Sequence, residues 1–436
     1  MKKLSATAII LVAFINITWS QTWELLPNSP EAEYVNDDIY FVNENKGWMV
    51  NLSGFIYRTE DGGNSWDTLL IKPGTAFRSI CFTDSLNGFA GNLGPGSWIS
   101  NVFDTIPLYH TTDGGLTWNP VVNITGVYPA GVCGMFVVND SVIYAVGRYA
   151  GPCAVLKTID GGQNWTSTDF SNKFDDLIDL WFFSPDTGVI LGGNNSRSVI
   201  YYTSDGGVNW TKVFQNPEPF GWHWKVSFPS RYVGYASIEG GTANTSRVAK
   251  TTDGGLTWAL KPLIPPSNGD ATGIGFINDS VGWVGCWIPG EDWMTTDGGD
   301  SWVAFTLDKQ FNRYRKINDS TAYICGSRIW KYSTSVATGG TPQINFEAKG
   351  YHMEQNKPNP FSTETIITYT IPEKGFVTLR VFDMGGRTLR TLVKKQQEAG
   401  TYSYKFSLPK SANANFISKL DVNGYQKIVK MTMVKK

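Results

Sequence analysis

The chain has 436 residues, of which 14% are aromatic and 17% are charged, with 46 glycines and 17 tryptophans. This composition is typical of many short strands joined by tight turns, and it excludes a disordered chain. Residues 21–352 hold 21 lysines and arginines against 32 acidic residues, whereas residues 353–436 hold 14 against 6; the acidic main body disfavours a nucleic-acid partner, because phosphate binding needs a basic face.

The first 20 residues have the pattern of a secretory signal peptide. Lys2 and Lys3 precede an apolar run over 6–17, and the small residues Thr18 and Ser20 lie three and one positions before a candidate cleavage site. The run is too short for a confident membrane span, and no other stretch approaches the ~20 apolar residues that a spanning helix needs. We therefore expect a secreted or cell-surface protein with no transmembrane segment in the mature chain.

Two patterns recur along residues 21–335. A DGG turn, written T-x-D-G-G-x-(S/T/N)-W in most copies, has aspartates separated by 52, 47, 45, 48 and 44 residues: Asp61, Asp113, Asp160, Asp205, Asp253 and Asp297. The second pattern is a strand–turn–strand unit, in which a polar turn separates two apolar strands as in FINDSVGWVG, and it occurs seven times. Seven tryptophans also stand at the start of predicted outer strands. This period corresponds to one four-stranded propeller blade.

There is one DGG turn fewer than there are strand–turn–strand units. The difference is explained if segment 328–335 is a degenerate seventh copy of the DGG turn. Its outer strand would then come from residues 22–27 at the N-terminus. Pairing of the first and last segments would remove the exposed edge of an open array. The sequence therefore predicts an all-β fold in which residues 21–335 form a seven-bladed β-propeller closed by the N-terminal strand.

The DGG turn has a physical rationale. Its glycines supply positive φ, and the aspartate accepts hydrogen bonds from turn amides. The hydroxyl or amide four residues after each aspartate can join this network, and the tryptophan buries its ring between blades. The six aspartates are therefore predicted to be structural.

The motif TTDGGLTW resembles the Asp-box, or BNR repeat, of sialidases, sortilin-like receptors and some xyloglucan-cleaving enzymes. The whole unit, FxNxxxGWxVG followed by TxDGGxTW, most resembles propellers of the photosystem II stability/assembly-factor type. The resemblance implies a propeller over residues 21–335, with the box on the side away from the active site. It does not fix a function.

Long loops are expected on the face opposite the DGG turns, and such loops usually carry binding. Aromatic loops of this kind suit sugars or peptides. The predicted ligand-binding residues are Trp98, Arg148, Tyr149, Arg197, Trp222, His223, Trp224, Trp287 and Trp293. The alternative is that these tryptophans fill blade junctions, since tryptophan is usually largely buried.

Alignment of the seven inner strands gives a second set, at the predicted mouth of the central channel: Asp38, Ser79, Gly134, Asp179, Lys225, Gly273 and Arg313. Their mixed charges could hold a polar ligand. A solvated channel wall is the simpler interpretation, because charged residues mostly stay hydrated.

Catalytic motifs are absent from the sequence: no GxSxG, HExxH, P-loop, EF-hand or Arg-Ile-Pro pattern occurs. His223 is the one histidine placed for acid–base chemistry, but no nucleophile motif accompanies it. Asp38 and Asp179 could form the carboxylate pair of a glycoside hydrolase. We expect no catalytic residue, metal or cofactor, and we favour binding over catalysis.

Five cysteines are an odd number for an exported chain, and none has CxxC spacing. Cys133 and Cys153 both map to the long-loop side of the third blade, so they are the predicted disulfide.

Residues 336–355 have the Ser/Thr/Gly composition of a linker, and residues 356–436 alternate as the strands of a small Ig-like β-sandwich. This tail resembles the type A C-terminal sorting domain of the type IX secretion system, with matches at Pro358, Asn359, Pro360, Phe361, Gly386, Gly400 and Tyr402. The segment 414–416 departs from the family, which usually has a glycine before the aromatic residue. The resemblance implies export, recognition by the outer-membrane machinery, and removal of the tail with release or surface attachment of the protein. The alternative is an ordinary accessory sandwich with a binding role of its own.

Together these features predict an exported propeller that binds an extracellular glycan or protein and is delivered by the type IX machinery. An Asp-box glycoside hydrolase and an envelope assembly factor are the alternatives.

Overall fold

All regular structure in the described part of the chain is β-strand, which confirms the all-β class. The computed structural model describes residues 22–32, 35–97, 99–148, 151–219, 221–240, 246–261, 271–286, 292–305, 307, 311–333, 350–383, 388–408, 414–422 and 425–434. Within these ranges there is no helix of a length and apolarity suited to crossing a membrane. The chain divides into two compact units, residues 1–335 and 336–436.

Twenty-nine strands make up the described part of the first unit. In chain order they are β1 (Thr22–Leu25), β2 (Asn36–Phe41), β3 (Gly47–Asn51), β4 (Phe55–Thr59), β5 (Asp67–Ile71), β6 (Phe77–Phe82), β7 (Gly88–Asn92), β8 (Leu108–Thr111), β9 (Asn119–Pro120), β10 (Ile124–Gly126), β11 (Gly134–Val137), β12 (Ile143–Gly147), β13 (Ala154–Thr158), β14 (Trp165–Asp169), β15 (Asp176–Phe182), β16 (Gly188–Asn194), β17 (Arg197–Thr203), β18 (Thr211–Gln215), β19 (His223–Ser227), β20 (Gly234–Ile238), β21 (Arg247–Thr251), β22 (Ala259–Leu260), β23 (Ala271–Phe276), β24 (Gly282–Cys286), β25 (Asp292–Thr295), β26 (Val303–Phe305), β27 (Phe311–Lys316), β28 (Thr321–Gly326) and β29 (Ile329–Ser333).

These strands form seven sheets, named S1 to S7. The sheets are S1 (β2 to β5), S2 (β6 to β9), S3 (β11 to β14, with β10), S4 (β15 to β18), S5 (β19 to β22), S6 (β23 to β26) and S7 (β27 to β29, with β1). In S7, β1 pairs antiparallel with β29, and Trp23 lies opposite Tyr332. The N-terminal strand thus supplies the outer strand of the last sheet.

The first strands of neighbouring sheets contact one another in a cycle. β2 contacts β6, β6 contacts β11, and the series continues through β15, β19 and β23 to β27, which contacts β2. The beginnings of these seven strands are therefore gathered at the centre of the unit.

S3 has a fifth strand that the sequence did not predict. β10 pairs parallel with β14, so that Ile124 lies opposite Trp165. Backbone N–H and C=O groups of a connecting segment need hydrogen-bond partners, and the outer edge of β14 provides them. The connection between S2 and S3 therefore adds a strand to the four expected from the repeat.

Stacked aromatic rings pack several of the sheets on their neighbours. Trp48 of β3 stacks on Phe82 of S2, with ring centroids 3.5 Å apart. A Cβ atom at Gly88 would lie 2.5 Å from the same phenyl ring, so glycine provides the space for it. The arrangement recurs in the pairs Tyr144–Phe182 and Tyr235–Phe276, at 3.6 and 3.5 Å.

The predicted disulfide is not formed, and that prediction is wrong. Cys133 donates its N–H to Val146 of β12 at 2.7 Å, and Cys153 precedes β13, on the other side of β12. Strands separated by one strand lie roughly 9–10 Å apart, beyond the ~4.4–6.8 Å between Cα atoms that a disulfide spans. All five cysteines are buried thiols with no disulfide bond.

The second unit contains two sheets around one hydrophobic core. Its strands are β30 (His352–Met353), β31 (Glu364–Ile371), β32 (Gly375–Asp383), β33 (Thr388–Gln397), β34 (Gly400–Ser407), β35 (Ala414–Val422) and β36 (Tyr425–Met433). The sheet orders are β30-β31-β34 and β33-β32-β35-β36. Buried side chains of both sheets, among them Ile367 and Leu379, belong to the same core.

The Pro-Asn-Pro-Phe segment is fixed against this core. Phe361 is buried in it, and its N–H donates to the Thr432 carbonyl at 2.9 Å. The side-chain oxygen of Asn359 accepts the Thr432 N–H at 2.8 Å. Of the sequence landmarks in the tail, Gly386 lies outside the described residues.

Candidate functional site

In each of the sheets S1 to S6, two turns share one edge, here called the turn edge. In S1, Gly62 of the DGG turn donates its N–H to Asn45 in the turn between the first two strands, at 2.8 Å. S2 repeats this bond between Gly114 and Leu86 at 2.9 Å, and S3 to S6 contain equivalent bonds from Gly161, Gly206, Gly254 and Gly298. The remaining loops lie at the other end of the strands, here called the loop edge.

Hydrogen bonds within each DGG turn engage its aspartate. In S2, the Thr111 hydroxyl donates to Asp113 at 2.8 Å, and the N–H and hydroxyl of Thr117 donate to the same carboxylate at 2.9 and 2.6 Å. The Thr111 hydroxyl also accepts the Gly115 N–H at 2.9 Å, and the Trp118 indole donates to the Gly115 carbonyl at 2.9 Å. S1 and S3 to S6 repeat the aspartate contacts.

These bonds stabilise the ionised carboxylates. Donation from the side chain and backbone of Thr117 lowers the pKa of Asp113 to about 2, and donation from Asn164 lowers the pKa of Asp160 to about 2. The pKa values of Asp61, Asp205, Asp253 and Asp297 shift in the same direction. The six carboxylates are therefore occupied within their own turns.

Three of the nine predicted ligand-binding residues, Arg148, Arg197 and Trp222, lie at the loop edge in the described part of the chain. Trp98, Tyr149 and Trp287 lie outside the described residues. Arg148 is buried, and its guanidinium donates to the carbonyls of Gly151, Leu93 and Pro95 at 3.0, 3.3 and 2.5 Å. Arg148 therefore links loops of S2 and S3 through hydrogen bonds, and its buried side chain is not presented to a ligand.

Arg197 and Trp222 lie half-buried at the loop edge between S4 and S5. Arg197 donates to the carbonyls of Asn216 and Pro217. The Trp222 indole covers Gly193 so closely that a Cβ atom there would lie 1.9 Å from the ring. Both side chains leave part of their surface to solvent. Trp224 and Trp293 are also half-buried, but they lie in strands β19 and β25.

His223 and Trp293 lie in strands, which differs from the expected loop positions. β19 begins at His223, whose Nδ1 lies 3.0 Å from the Ser237 carbonyl oxygen. Burial lowers the pKa of His223 to about 3, so the ring is neutral and enclosed. Trp293 lies in β25 opposite Val284 and packs against the S6 core. Neither side chain is placed for acid–base chemistry at the loop edge.

Seven charged side chains and one asparagine of the first strands meet at the centre of the unit. This central cluster consists of Asp37, Asp38, Arg78, Asp179, Lys225, Asn312, Arg313 and Arg315. Alignment of the inner strands predicted Asp38, Asp179, Lys225 and Arg313, and it missed the other four. All except Arg315, which is partly exposed, are buried.

Arg313 links two of the carboxylates. Its Nη1 donates to both oxygens of Asp179 at 3.0 and 2.9 Å, and its Nε lies 3.4 Å from Asp38. Arg315 donates to Asp38 from Nη2 at 2.8 and 2.9 Å and from Nε at 3.1 Å. Burial favours the protonated form of Asp38, but the charges of Arg315 and Arg313 overcome it and lower the pKa of this carboxyl.

Asp37 has different partners, Arg78 and Asn312. Arg78 Nη1 donates to its two oxygens at 2.7 and 2.8 Å, and the Asn312 side chain donates to it at 2.8 Å. The Arg78 guanidinium lies 5.5 Å from the centroid of the Trp224 ring, and the Trp224 indole donates to the Glu239 carboxylate. Trp224 therefore links the central cluster to a residue of the loop edge.

This burial differs from the solvated channel wall suggested by the sequence. Asp38 is 0%, Asp179 3%, Lys225 1% and Arg313 4% exposed. Ionised groups can be enclosed in this way when an opposite charge and hydrogen bonds compensate them. Asp38 and Asp179 share Arg313, so neither is an exposed acid that could protonate a glycosidic oxygen. Among the described residues, no group of three or more His, Cys, Asp or Glu residues is arranged to hold a metal ion.

No family model matches the chain. The photosystem II assembly lipoprotein Ycf48 of Synechococcus sp. (strain CC9902) is 26% identical over 332 residues, which cover 71% of this chain and 87% of that protein. YCF48 from Cyanidioschyzon merolae superimposes with a TM-score of 0.55 at 16% identity, over 71% of this chain and 98% of its own. A structure described as YCF48 bound to D1 peptide superimposes with a TM-score of 0.53 at 17% identity, over 72% and 97%.

Two larger proteins share the arrangement. The GH74 xyloglucanase of Xanthomonas campestris has a TM-score of 0.53 at 13% identity, over 80% of this chain and 59% of its own. PorZ of Porphyromonas gingivalis, a surface component of the type IX secretion system, has a TM-score of 0.51 at 11% identity, over 94% and 60%. The chain therefore has a propeller-type fold and is similar in sequence to Ycf48.

Proposed function

We propose that the first unit is a closed seven-bladed β-propeller that binds a segment of another protein at its loop edge. The observation that carries this proposal is the asymmetry of the two edges. The DGG aspartates of the turn edge are occupied by bonds within their own turns, whereas Arg197 and Trp222 are partly exposed at the loop edge. Closure of the ring is supported by the cyclic contacts of the first strands and by the pairing of β1 with β29.

A protein ligand is favoured over a glycan by the similarity to Ycf48. That relative is described as an assembly lipoprotein, and a YCF48 structure is described as bound to a D1 peptide. A role as an assembly factor in the cell envelope is the form of this function that the similarity supports. Its client would be a protein of that envelope, and the photosynthetic client of the relative is not carried over to this chain.

Binding arrays test this proposal and the glycan alternative together. The full chain is applied to a peptide array of envelope-protein sequences and to a glycan array. We expect retention on peptides, weakened at least about tenfold by Trp222→Ala, while Tyr232→Ala at the turn edge leaves it unchanged. Tyr232 is a suitable control because it is an aromatic residue that is 60% exposed. Retention on glycans alone, or an equal loss in both variants, contradicts the proposal.

A glycoside hydrolase of the GH74 type is the second candidate, and the fold likeness supports it. Against it, the Asp38 and Asp179 carboxylates are buried and bound to Arg313. Incubation of the full chain with xyloglucan and a reducing-end assay decides the matter: release of reducing ends that Asp38→Asn and Asp179→Asn abolish would establish the enzyme.

We further propose that residues 1–20 direct export and that residues 356–436 form an Ig-like β-sandwich that the type IX secretion machinery recognises. The Pro358–Phe361 segment and the single core of the two sheets support this assignment. In a bacterium with type IX machinery, the full chain should reach the surface or medium, and a chain lacking 356–436 should remain in the periplasm. Retention of the full chain in the periplasm contradicts the assignment.

A further inference from the structure

Lys225 places an ammonium group inside the first unit. The residue lies in the irregular part of β19 between His223 and Val226, and it is 1% exposed. Its backbone N–H donates to the Ser237 hydroxyl at 3.2 Å. Within the described ranges, its Nζ atom has no hydrogen-bond acceptor. A buried ammonium without an acceptor is costly, so such a group calls for a partner.

Two arginines of the central cluster have similar unused donors. Arg78 binds Asp37 through Nη1, and its Nε and Nη2 have no hydrogen-bond partner among the described residues. Arg313 binds Asp179 through Nη1, and its Nη2 is likewise unpartnered in the described part of the chain. The three unsatisfied cations come from S2, S5 and S7. They lie near one another, because the charges of Arg313 and Arg78 both act on Lys225, and that of Arg313 acts on Arg78.

The charges of the cluster do not balance. The acidic members are Asp37, Asp38 and Asp179, and the basic members are Arg78, Lys225, Arg313 and Arg315, which leaves one positive charge in excess when Lys225 is protonated. Burial first, and then the charges of Arg313 and Arg78, lower the pKa of Lys225 to about 7, while Asp37 and Asp179 oppose this shift. His223, two residues away, is neutral.

We propose that the central cluster binds one small monovalent anion, such as chloride, between Lys225 Nζ and the unused N–H groups of Arg78 and Arg313. A monovalent anion supplies the missing acceptor and cancels the excess charge. The enclosing side chains exclude a sugar or a peptide carboxylate, because the members that face the anion are at most 4% exposed. The site is therefore independent of the ligand proposed at the loop edge.

Thermal unfolding of the full chain at pH 6 tests the site, with sodium chloride compared against sodium gluconate at equal ionic strength. Gluconate is too large for the enclosed cluster. Chloride at tenfold its dissociation constant should raise Tm by on the order of 2–4 °C above the gluconate value. The difference should shrink at pH 8.5, because loss of the Lys225 proton removes the excess charge.

Lys225→Met should abolish the chloride-specific rise in Tm, and Lys212→Met, at an exposed lysine of S4, should retain it. Crystals of the wild-type chain grown in sodium bromide give a second readout that needs no variant: an anomalous peak at hydrogen-bonding distance from Lys225 Nζ is expected. Equal Tm values in the two sodium salts, a chloride effect that survives Lys225→Met, or bromide peaks confined to the protein surface would overturn the proposal.

Discussion

Aspartates occupy the turn edge and the central cluster of the same unit in opposite surroundings. At the turn edge, the Asp113 carboxylate is half-buried and accepts bonds from Thr117, four residues away. In the central cluster, Asp38 is fully buried and its partner Arg315 is 277 positions distant. The turn edge therefore compensates charge locally with neutral donors, whereas the central cluster compensates it with cations from distant strands. Loss of one partner should therefore cost more in the central cluster, because the remaining charge stays buried without compensation.

The largest expected effect follows from removal of Arg313. Arg313→Met leaves Asp179 and Asp38 buried with less compensation, so the free energy of unfolding should fall by about 3–5 kcal/mol. Urea denaturation measures this change. Arg247→Met is the control, because Arg247 pairs with the half-exposed Glu218 and should cost less than about 1 kcal/mol. Equal losses in the two variants would show that the central cluster is as well solvated as the surface.

A smaller loss is expected at the turn edge. Asp253→Ala removes the acceptor for the Thr257 N–H and hydroxyl and for the Thr251 hydroxyl, so it should cost about 1 kcal/mol, as loss of a helix cap does. Asp319→Ala, at a 97% exposed side chain, should change stability by less than about 0.5 kcal/mol. If Asp253→Ala lowered the free energy of unfolding as much as Arg313→Met does, the turn edge and the central cluster would not differ in how strongly they depend on their charges.

The difference between local contacts at the turn edge and long-range contacts in the central cluster explains which features could be predicted from the sequence. The DGG turn is local, so its motif indicated both the turn and the role of the residue four positions after the aspartate. The role of the preceding threonine was missed, although Thr111 is part of the motif. The strand repeat also predicted that the N-terminal segment pairs with the last sheet, as β1 does with β29.

The central cluster could be predicted only in part. Alignment of the inner strands identified Asp38, Asp179, Lys225 and Arg313 because they share one register. Asp37 and Arg78 lie one residue away from that register, and their pairing over 41 positions leaves no mark in a single sequence. Polar residues in the first half of the inner strands, as in NDD of β2 and FNR of β27, were the available signal. Burial of these charges depends on all the strands at once.

Acid should weaken the turn edge over a defined pH range. The pKa values of Asp113 and Asp160 are lowered from 3.8 to about 2, so their contribution to stability is complete above pH 4 and is lost as pH falls towards 2. Asp113→Asn/Asp160→Asn should therefore show a shallower loss of stability between pH 4 and pH 2 than the wild type, in urea denaturation at stepped pH. Parallel curves would contradict the local stabilisation of these carboxylates.

The smallest effect is expected from reduction, since neither region uses a disulfide. All five thiols are buried, and burial raises the pKa of Cys153 to about 12. Dithiothreitol should leave Tm unchanged, and iodoacetamide at pH 8 should not increase the mass of the native chain. Unfolding in urea before alkylation is the control and should add five carbamidomethyl groups. A fall in Tm on reduction would show that a disulfide bond is present.

The most direct test of the central claim, that the turn edge is structural and the loop edge binds, is hydrogen–deuterium exchange of the full chain with and without a ligand selected on the arrays. Slower exchange on binding is expected at residues 193–197 and 221–224 of the loop edge, with exchange at the DGG turns unchanged. Protection of the DGG turns with no change at the loop edge would contradict it.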